Sequence, residues 1–162
     1  MAITTIDSVI APVVAITLPA SVVTYAVNDV MNGAGTSMLA FTIAADNNAR
    51  GIIFGGRCVS SANNSTLPSI DLMFFSSTFT IAADDAAFAP TFAQMQTYLG
   101  KIRFSNFVAR GVRTECDGSV ENPFIFTPAS NTQIIYAVPV MQNAYVRVAS
   151  EQFEFMPNAV QY

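Results

Sequence analysis

The chain has 162 residues and a formal net charge of −4, with a sequence pI near 4.5. This length predicts one domain with a core that needs no disulfide staples, and the acidic balance argues against nucleic acid as a partner, because phosphate binding needs a basic surface. Hydrophobic residues make up 52% of the chain and charged residues 11%, against about 25% charged in an average soluble domain, so either other chains cover part of its exterior or the protein lies in a membrane.

The N-terminal segment favours the first of these interpretations. The range 8–28 carries no charge and is long enough to cross a bilayer. However, Pro12 and Pro19 interrupt helical hydrogen bonding, and the many Val, Ile and Thr residues favour strands. A secretory signal would require a basic residue before the segment, and there is none. We therefore expect no membrane partner, and an extended N-terminal arm over 1–17 leading into a β-sandwich domain over 18–162; the alternative is that the arm is a strand of the same sandwich.

Alternation of apolar residues with a period of two is the main pattern in the rest of the chain, and it predicts β-strands. The rows that show it are Ile70, Leu72 and Phe74; Ile102 and Phe104; and Ile134, Tyr136, Val138 and Val140. The residues between those of the last row are apolar too, which predicts a strand covered on both faces. Pro139 in this row indicates a sheet edge or a bulge.

Turn sequences rich in Gly, Asn and Asp separate the rows, at 28–35, 46–51, 60–65 and 116–123. A further turn over 149–152 is expected, because Val146 and Val148 alternate in one phase and Phe153 and Phe155 in the other. Short strands divided by such turns predict an antiparallel β-sandwich or a barrel.

The hexapeptide FTIAAD occurs twice, at 41–46 and at 79–84. In each copy Phe, Ile and the second Ala fall on one face of a predicted strand, and Asp then favours a turn. The sequences diverge directly after the six residues, whereas repeat proteins keep similarity over 20–50 residues. The doubled hexapeptide is therefore interpreted as one local solution used twice, and not as a duplicated module.

One short helix is expected between the strands. Phe88, Phe92, Met95 and Leu99 recur at helical spacing and would form one apolar stripe against the core. Thr91 suits the N-cap, and Gly100 suits the position after the C-cap.

The sequence offers little for catalysis, so no enzyme activity and no cofactor are predicted. It contains no histidine, which excludes the Ser-His-Asp and Cys-His mechanisms. Asp84 and Asp85 are the one adjacent pair of carboxylates, and on a strand they would point to opposite faces instead of facing a common substrate. Cys58 and Cys116 have no metal-binding spacing and are expected to be free buried thiols.

Several segments, in order along the chain, resemble a group of structural proteins of tailed bacteriophages. The likeness spans 18–156 and depends on the order of the segments more than on any single motif. In this chain the group's Asn-type turn reads DDAAF, and the first seventeen residues have no counterpart in the group. The segments that carry the resemblance are LPASVVTYAVNDVM with MLAFTIA, ARGIIFGGRCVSS, DDAAFAPTFAQMQTYLGKIRF and TPASNTQIIYAVPVMQNAYV.

The resemblance implies an all-β fold, a jelly-roll-like antiparallel sandwich, and a role as a capsid decoration or cement protein. Such proteins bind the outer surface of the phage shell, commonly as homotrimers, and stabilise contacts between major capsid subunits. The implied partner is the major capsid protein, and the implied location is the virion, assembled in the cytoplasm of the host bacterium.

Two sets of contact residues are predicted on this basis. Contacts with the shell are expected from the arm and from a basic cluster, namely Ile10, Pro12, Val13, Val14, Ile16, Lys101, Arg103, Arg110 and Arg113. Contacts between copies are expected from the C-terminal residues Phe153, Phe155, Met156 and Tyr162, with packing in the core as the alternative.

Two other functions remain open from the sequence. A tail or head-fibre module that binds host glycans would need an exposed groove lined by tyrosines. A carboxylate hydrolase would need two acids that face each other across a cleft.

Overall fold

A computed structural model describes residues 9–33, 35–43, 49–128 and 131–161. Thirteen strands and one helix are assigned in this part of the chain. Their bounds are β1 Val9–Ile10, β2 Val14–Thr17, β3 Thr24–Tyr25, β4 Leu39–Thr42, β5 Gly51–Ser60, β6 Ile70–Phe75, α1 Phe92–Met95, β7 Tyr98–Phe104, β8 Val108–Arg110, β9 Arg113–Gly118, β10 Phe124–Phe126, β11 Ile134–Met141, β12 Tyr145–Val146 and β13 Gln152–Gln161.

Two antiparallel sheets form a β-sandwich, which confirms the predicted all-β fold. The large sheet runs in the order β1-β13-β5-β9-β8; β2 also pairs with β13, and β10 also pairs with β5. The smaller sheet runs β4-β11-β6-β7, and β3 with β12 forms a two-stranded ribbon. Apolar side chains from the facing sides of both sheets fill the main core, including the fully buried Phe41, Phe74, Phe104, Phe126 and Phe155.

The predicted rows on β6, β7 and β11 are confirmed. Ile70, Leu72 and Phe74 are fully buried, as are Ile102 and Phe104 on the neighbouring strand. The smaller sheet is also covered on its other face, because the segment 76–90 packs over it and forms a second apolar cluster. Two T-shaped ring contacts to Phe75 illustrate this packing, with centroids 5.0 Å away at Phe79 and 6.3 Å away at Phe88.

Pro139 lies inside the smaller sheet and not at its edge as predicted, because β11 is flanked by β4 and β6. The pairing with β4 stops at Ala137, however, and the segment 29–31 takes its place beside the end of β11. On that side the backbone N–H of Met141 donates to the backbone carbonyl of Asp29. The nitrogen of Pro139, two residues earlier in the strand, points in the same direction. The proline therefore lacks its N–H at a position where β11 no longer pairs with β4, so no hydrogen bond to β4 is lost.

The described residues of the predicted N-terminal arm are strands of the large sheet. Val9–Ile10 pairs with Ala159 and Val160 of β13, and Val14–Thr17 pairs with the start of the same strand. The alternative that the sequence left open, a strand of the sandwich, therefore describes the strand residues within 9–17.

The predicted short helix is present, but its predicted extent and its core-facing stripe are wrong. The Thr91 side chain caps α1 through a capping box with Gln94, as expected, but the helix ends at Met95 and buries none of its residues. Phe92 is 82% exposed. Leu99, which the helical spacing had included, belongs to β7, where pairing with β6 outweighs the local periodicity.

The second FTIAAD copy is not a strand, which corrects the interpretation of the doubled hexapeptide. Phe41 and Thr42 of the first copy lie in β4, whereas 79–84 runs as an irregular segment of the covering loop. Its apolar residues Phe79, Ile81 and Ala82 still pack into the second cluster. Residues 44–46 of the first copy are outside the described residues.

Candidate functional site

The adjacent aspartates serve two structural purposes. Asp85 has a positive φ of 63° and is exposed in a turn, while the side chain of Asp84 points inward and is 10% exposed. The guanidinium of Arg147, whose side chain is 2% exposed, donates through Nη1 to Oδ2 of Asp84. The Tyr25 hydroxyl donates to Oδ1 of Asp84 over 2.7 Å, and the backbone N–H of Asn32 donates to the same oxygen over 3.0 Å.

Arg147 also fixes the chain that surrounds this ion pair. Its Nη1 lies 2.6 Å from the Tyr25 hydroxyl, and its Nε and Nη2 donate to the carbonyl and hydroxyl oxygens of Ser21, each over 3.0 Å. Burial, followed by the hydrogen bond to Asp84, raises the pKa of Tyr25 well above its ordinary value. The Asp84 carboxylate is thus engaged by several donors, and the arrangement links loops that are distant in the sequence.

A second buried carboxylate, Glu151, is used in the same way. The Tyr145 hydroxyl lies 2.7 and 2.8 Å from its two oxygens, and the Ser60 hydroxyl and the Val148 amide also donate to it. Asn64 donates to the Tyr145 hydroxyl over 2.8 Å, which completes the network. Burial and the bond to Glu151 raise the pKa of Tyr145 far above its usual range.

The described residues contain neither a cluster of metal ligands nor an accessible reactive thiol. The described ranges contain no group of three or more Cys, Asp or Glu side chains placed to hold a metal ion. Cys58 and Cys116 lie opposite each other on β5 and β9 as free buried thiols, which confirms the prediction for them. Desolvation raises the pKa of both thiols, and this suppresses the reactive thiolate. No helix among the described residues is long and apolar enough to cross a membrane.

The accessible charges are concentrated along one side of the sandwich, which we call the charged side. It follows β7, β8, β9 and the middle of β5, and shallow grooves in it are lined by these residues. It contains five of the seven basic residues and five of the eleven acidic ones. Its members are Arg57, Lys101, Arg103, Arg110 and Arg113, with Asp71, Glu115, Asp117, Glu121 and Glu154.

Two carboxylates on the charged side anchor most of its basic groups. Asp71 is buried and receives Lys101 Nζ at 2.7 Å together with Nε and Nη2 of Arg103, each at 2.7 Å. Burial would raise the pKa of Asp71, but the hydrogen bonds from Arg103 and Lys101 outweigh it and lower that pKa. Glu115 receives Arg110 Nε at 2.8 Å and also Arg57 Nη2, and these bonds lower its pKa.

Arg113 differs from these anchored residues. It is exposed and lies directly opposite Arg110, where the β8–β9 hairpin turns through Gly111 and the 84% exposed Val112. Like charges at opposite positions of an antiparallel pair disfavour the fold. Among the described residues, no carboxylate forms an ion pair with Arg113.

The predicted shell contacts of the N-terminal segment are less available than the charged side. Ile16 is buried in the main core, and Val14 packs against it. Pro12 is half-buried, and Val13 is exposed at the start of an edge strand. Ile10 lies in β1, but its side chain is outside the described part.

The predicted self-association residues are corrected in part. Phe153 and Phe155 are fully buried between the sheets of a single chain, so they cannot form a surface for another copy. Met156 follows Phe155 on the opposite phase of the strand and faces outward, half-buried. Tyr162 is outside the described residues.

A group of outward apolar residues lies at the other end of the large sheet, and we call it the apolar patch. Its members are on the outer face, the face directed away from the smaller sheet. Ile52 of β5 lies opposite Ile125 of β10 on one side and Val160 of β13 on the other. Phe54 and Met156 extend this row along the sheet toward Arg57. Ile125 is 59% exposed and Phe54 is 44% exposed.

No known protein family, no curated protein and no solved structure matches the chain.

Sequence reasoning missed the role of Arg147. A signal was present, because the residue alternates in phase with the buried Tyr145, between the exposed Val146 and Val148. An arginine on the inward phase of a strand requires a buried acidic partner. Asp84, its partner, is too distant in the sequence for any local pattern to reveal the pair.

Proposed function

We propose that the protein is a capsid decoration protein that binds the outer surface of a tailed-phage shell and stabilises contacts between major capsid subunits. It acts as a homotrimer in the virion and is assembled in the bacterial cytoplasm. The observation that carries the proposal is the charged side, where the accessible basic groups of an otherwise acidic protein are concentrated. Such a surface steers the protein toward an acidic protein lattice in one orientation.

The β8–β9 hairpin is the most direct contact that the charged side offers. Arg113 and Val112 extend from its turn. Arg110, opposite Arg113, is already bonded to Glu115, so Arg113 is the guanidinium of this hairpin that is left to pair with an external carboxylate. A hairpin of a paired sheet is also a stiff support, so little ordering entropy is lost on binding.

The mechanism that follows is mechanical. A closely packed sandwich transmits force between the sites that it contacts, since packed interiors deform little. A standard interface buries about 1,600 Å² in total, and several copies of it around a symmetry axis add avidity without new contacts. Each bound copy then increases the work needed to separate neighbouring shell subunits.

The buried carboxylates and tyrosines weigh against the two other functions. Asp84 and Glu151 are each engaged by internal donors, which leaves neither as a free acid or base. Of the four tyrosines that the structure describes, Tyr25 and Tyr145 are buried, and Tyr98 and Tyr136 pack against the second apolar cluster. A sugar would thus find no exposed tyrosine groove in the described surface.

The test adds purified protein to shells assembled without it and measures occupancy by electron microscopy and co-sedimentation. Wild-type protein is expected at regular lattice positions, with binding that weakens as salt is added. Arg113→Glu should lower the affinity by about tenfold or more, because it places a like charge against the acidic lattice. Arg50→Glu makes the same change at the exposed start of the chain leading into β5 and should leave binding within about twofold. Failure of the wild-type protein to occupy regular positions would overturn the proposal.

A further inference from the structure

The apolar patch has no role inside the single chain. Its side chains alternate with the inward Ile53, Phe155 and Ala159, which fill the core, so the patch lies on the opposite, solvent-facing side of the same strands. Contiguous exposed apolar areas on a soluble domain usually mark a contact with another molecule.

A β-bulge at the centre of the patch directs the side chain of Phe54 outward. The pairing of β5 with β13 shifts register between Asn158 and Ala159, which leaves Phe54 as an extra residue without a partner in β13. Such a bulge bends the strand and re-aims the bulged side chain. The ring of Phe54 is held outward beside Ile52 as a result, although an exposed phenylalanine brings the fold no stability.

The charge distribution identifies what covers the patch. We infer that the apolar patch is the contact between copies of this chain, packed against its equivalents around a symmetry axis. Residues close to such an axis meet their own copies, so a charged group there would oppose the same charge. The patch contains only apolar side chains and the uncharged Asn158, and the charges nearest to it lie at its margins, with Arg57 directly opposite Met156 and Arg50 two residues before Ile52.

The same distribution disfavours the shell as the occupant. The groups suited to an acidic lattice are on the charged side, at the other end of the large sheet. Contact between copies through the apolar patch leaves that side free, so that one trimer presents several charged sides at once. Each chain carries a net charge of −4, and contact through an uncharged patch keeps the charged groups of neighbouring copies apart.

The first experiment measures the mass of the purified protein by light scattering and sedimentation, without shells. Wild-type protein is expected as a trimer. Ile125→Lys puts a charge at the most exposed position of the patch and should weaken association by about thirtyfold or more, as substitutions at the centre of an interface do. Val112→Lys introduces the same charge at a more exposed valine outside the patch and should leave the mass unchanged. Circular dichroism of each variant verifies that the sandwich is intact.

The second experiment tests proximity directly. Ile125→Cys should form a disulfide-linked dimer on mild oxidation by dissolved oxygen, in which two thiols lose two protons and two electrons to the oxidant. The control Val112→Cys should not, and the buried native thiols remain unreactive in both. A monomeric wild-type protein, or an oligomer that survives Ile125→Lys and fails to cross-link, would overturn the inference.

These outcomes are independent of shell binding. A decoration protein that associates through another surface would still occupy shells while its mass ignored Ile125→Lys. Conversely, a protein that associates through the apolar patch but never binds shells would retain this inference and lose the proposed function.

Discussion

Replacement of Arg147 by Met probes the buried ion pair most directly. Methionine keeps an unbranched apolar stem of similar length, so packing is disturbed little while the charge is removed. The substitution leaves Asp84 with its side chain 10% exposed and its ionic partner gone. It also removes the hydrogen bonds to Tyr25 and Ser21, which link residues more than a hundred positions apart in the chain.

The expected loss follows from what remains around the carboxylate. Breaking a buried pair by removing one partner costs about 3–5 kcal/mol. Asp84 retains the Tyr25 hydroxyl and the Asn32 amide as donors, which places the loss near the lower limit, at about 3 kcal/mol. For a domain of this size that corresponds to a fall in melting temperature of about 6–12 °C.

Urea unfolding followed by circular dichroism and tyrosine fluorescence measures this loss, since the chain has no tryptophan. The control is Arg110→Met, which removes a basic partner of Glu115 from a side chain that is 60% exposed and should cost at most about 1 kcal/mol. In a double-mutant cycle, Asp84→Asn with Arg147→Met should show a coupling of about 1 kcal/mol or more. Equal losses for Arg147→Met and Arg110→Met, with no coupling, would refute the reasoning.

Two further predictions concern the charged side and the covering loop. Asp71 has a lowered pKa in the folded protein, so its bonds to Lys101 and Arg103 stabilise the fold above the ordinary carboxyl pKa of about 3.9, and this contribution is lost as the pH falls through the lower folded value. The difference in unfolding free energy between the wild type and Asp71→Asn should therefore be constant from about pH 5 to 8 and shrink below about pH 4; a constant difference down to pH 2 would contradict it. Phe88→Ala should cost about 3–5 kcal/mol in urea unfolding, because Phe88 is buried in the second cluster. Phe92→Ala in the exposed helix should change stability by less than about 0.5 kcal/mol, and similar losses for both would show that the helix packs.

The features that could be predicted best from the sequence were those that depend only on residues adjacent in the chain. Alternation on β6 and β7 identified Ile70, Leu72 and Ile102 as core residues, because the period of two is a property of each strand alone. The N-cap at Thr91 was equally local. What failed was the extent of the helix, since Leu99 could satisfy a helical stripe or a strand, and only the pairing of its neighbours Tyr98 and Gly100 with β6 decides between them.

The candidate contact surfaces were predictable only in part for the same reason. The basic cluster was visible in the sequence, but its continuity with Arg57 depends on the pairing of β5 with β9. The apolar patch was not visible at all, because Ile52, Ile125 and Val160 come from three distant segments that meet only in the folded sheet. Phe155 looked as available as Met156 until the register showed which of the two points inward.

The position of β13 has a consequence for synthesis. This strand lies between β1 and β2 on one side and β5 on the other, although it leaves the ribosome after all three of them. Until it emerges, two long strand edges of the nascent chain wait without their hydrogen-bonding partner, and closure then depends on contacts across nearly the whole sequence. We therefore expect slow, late folding and a need for chaperone protection during translation, with truncations inside β13 yielding insoluble chains.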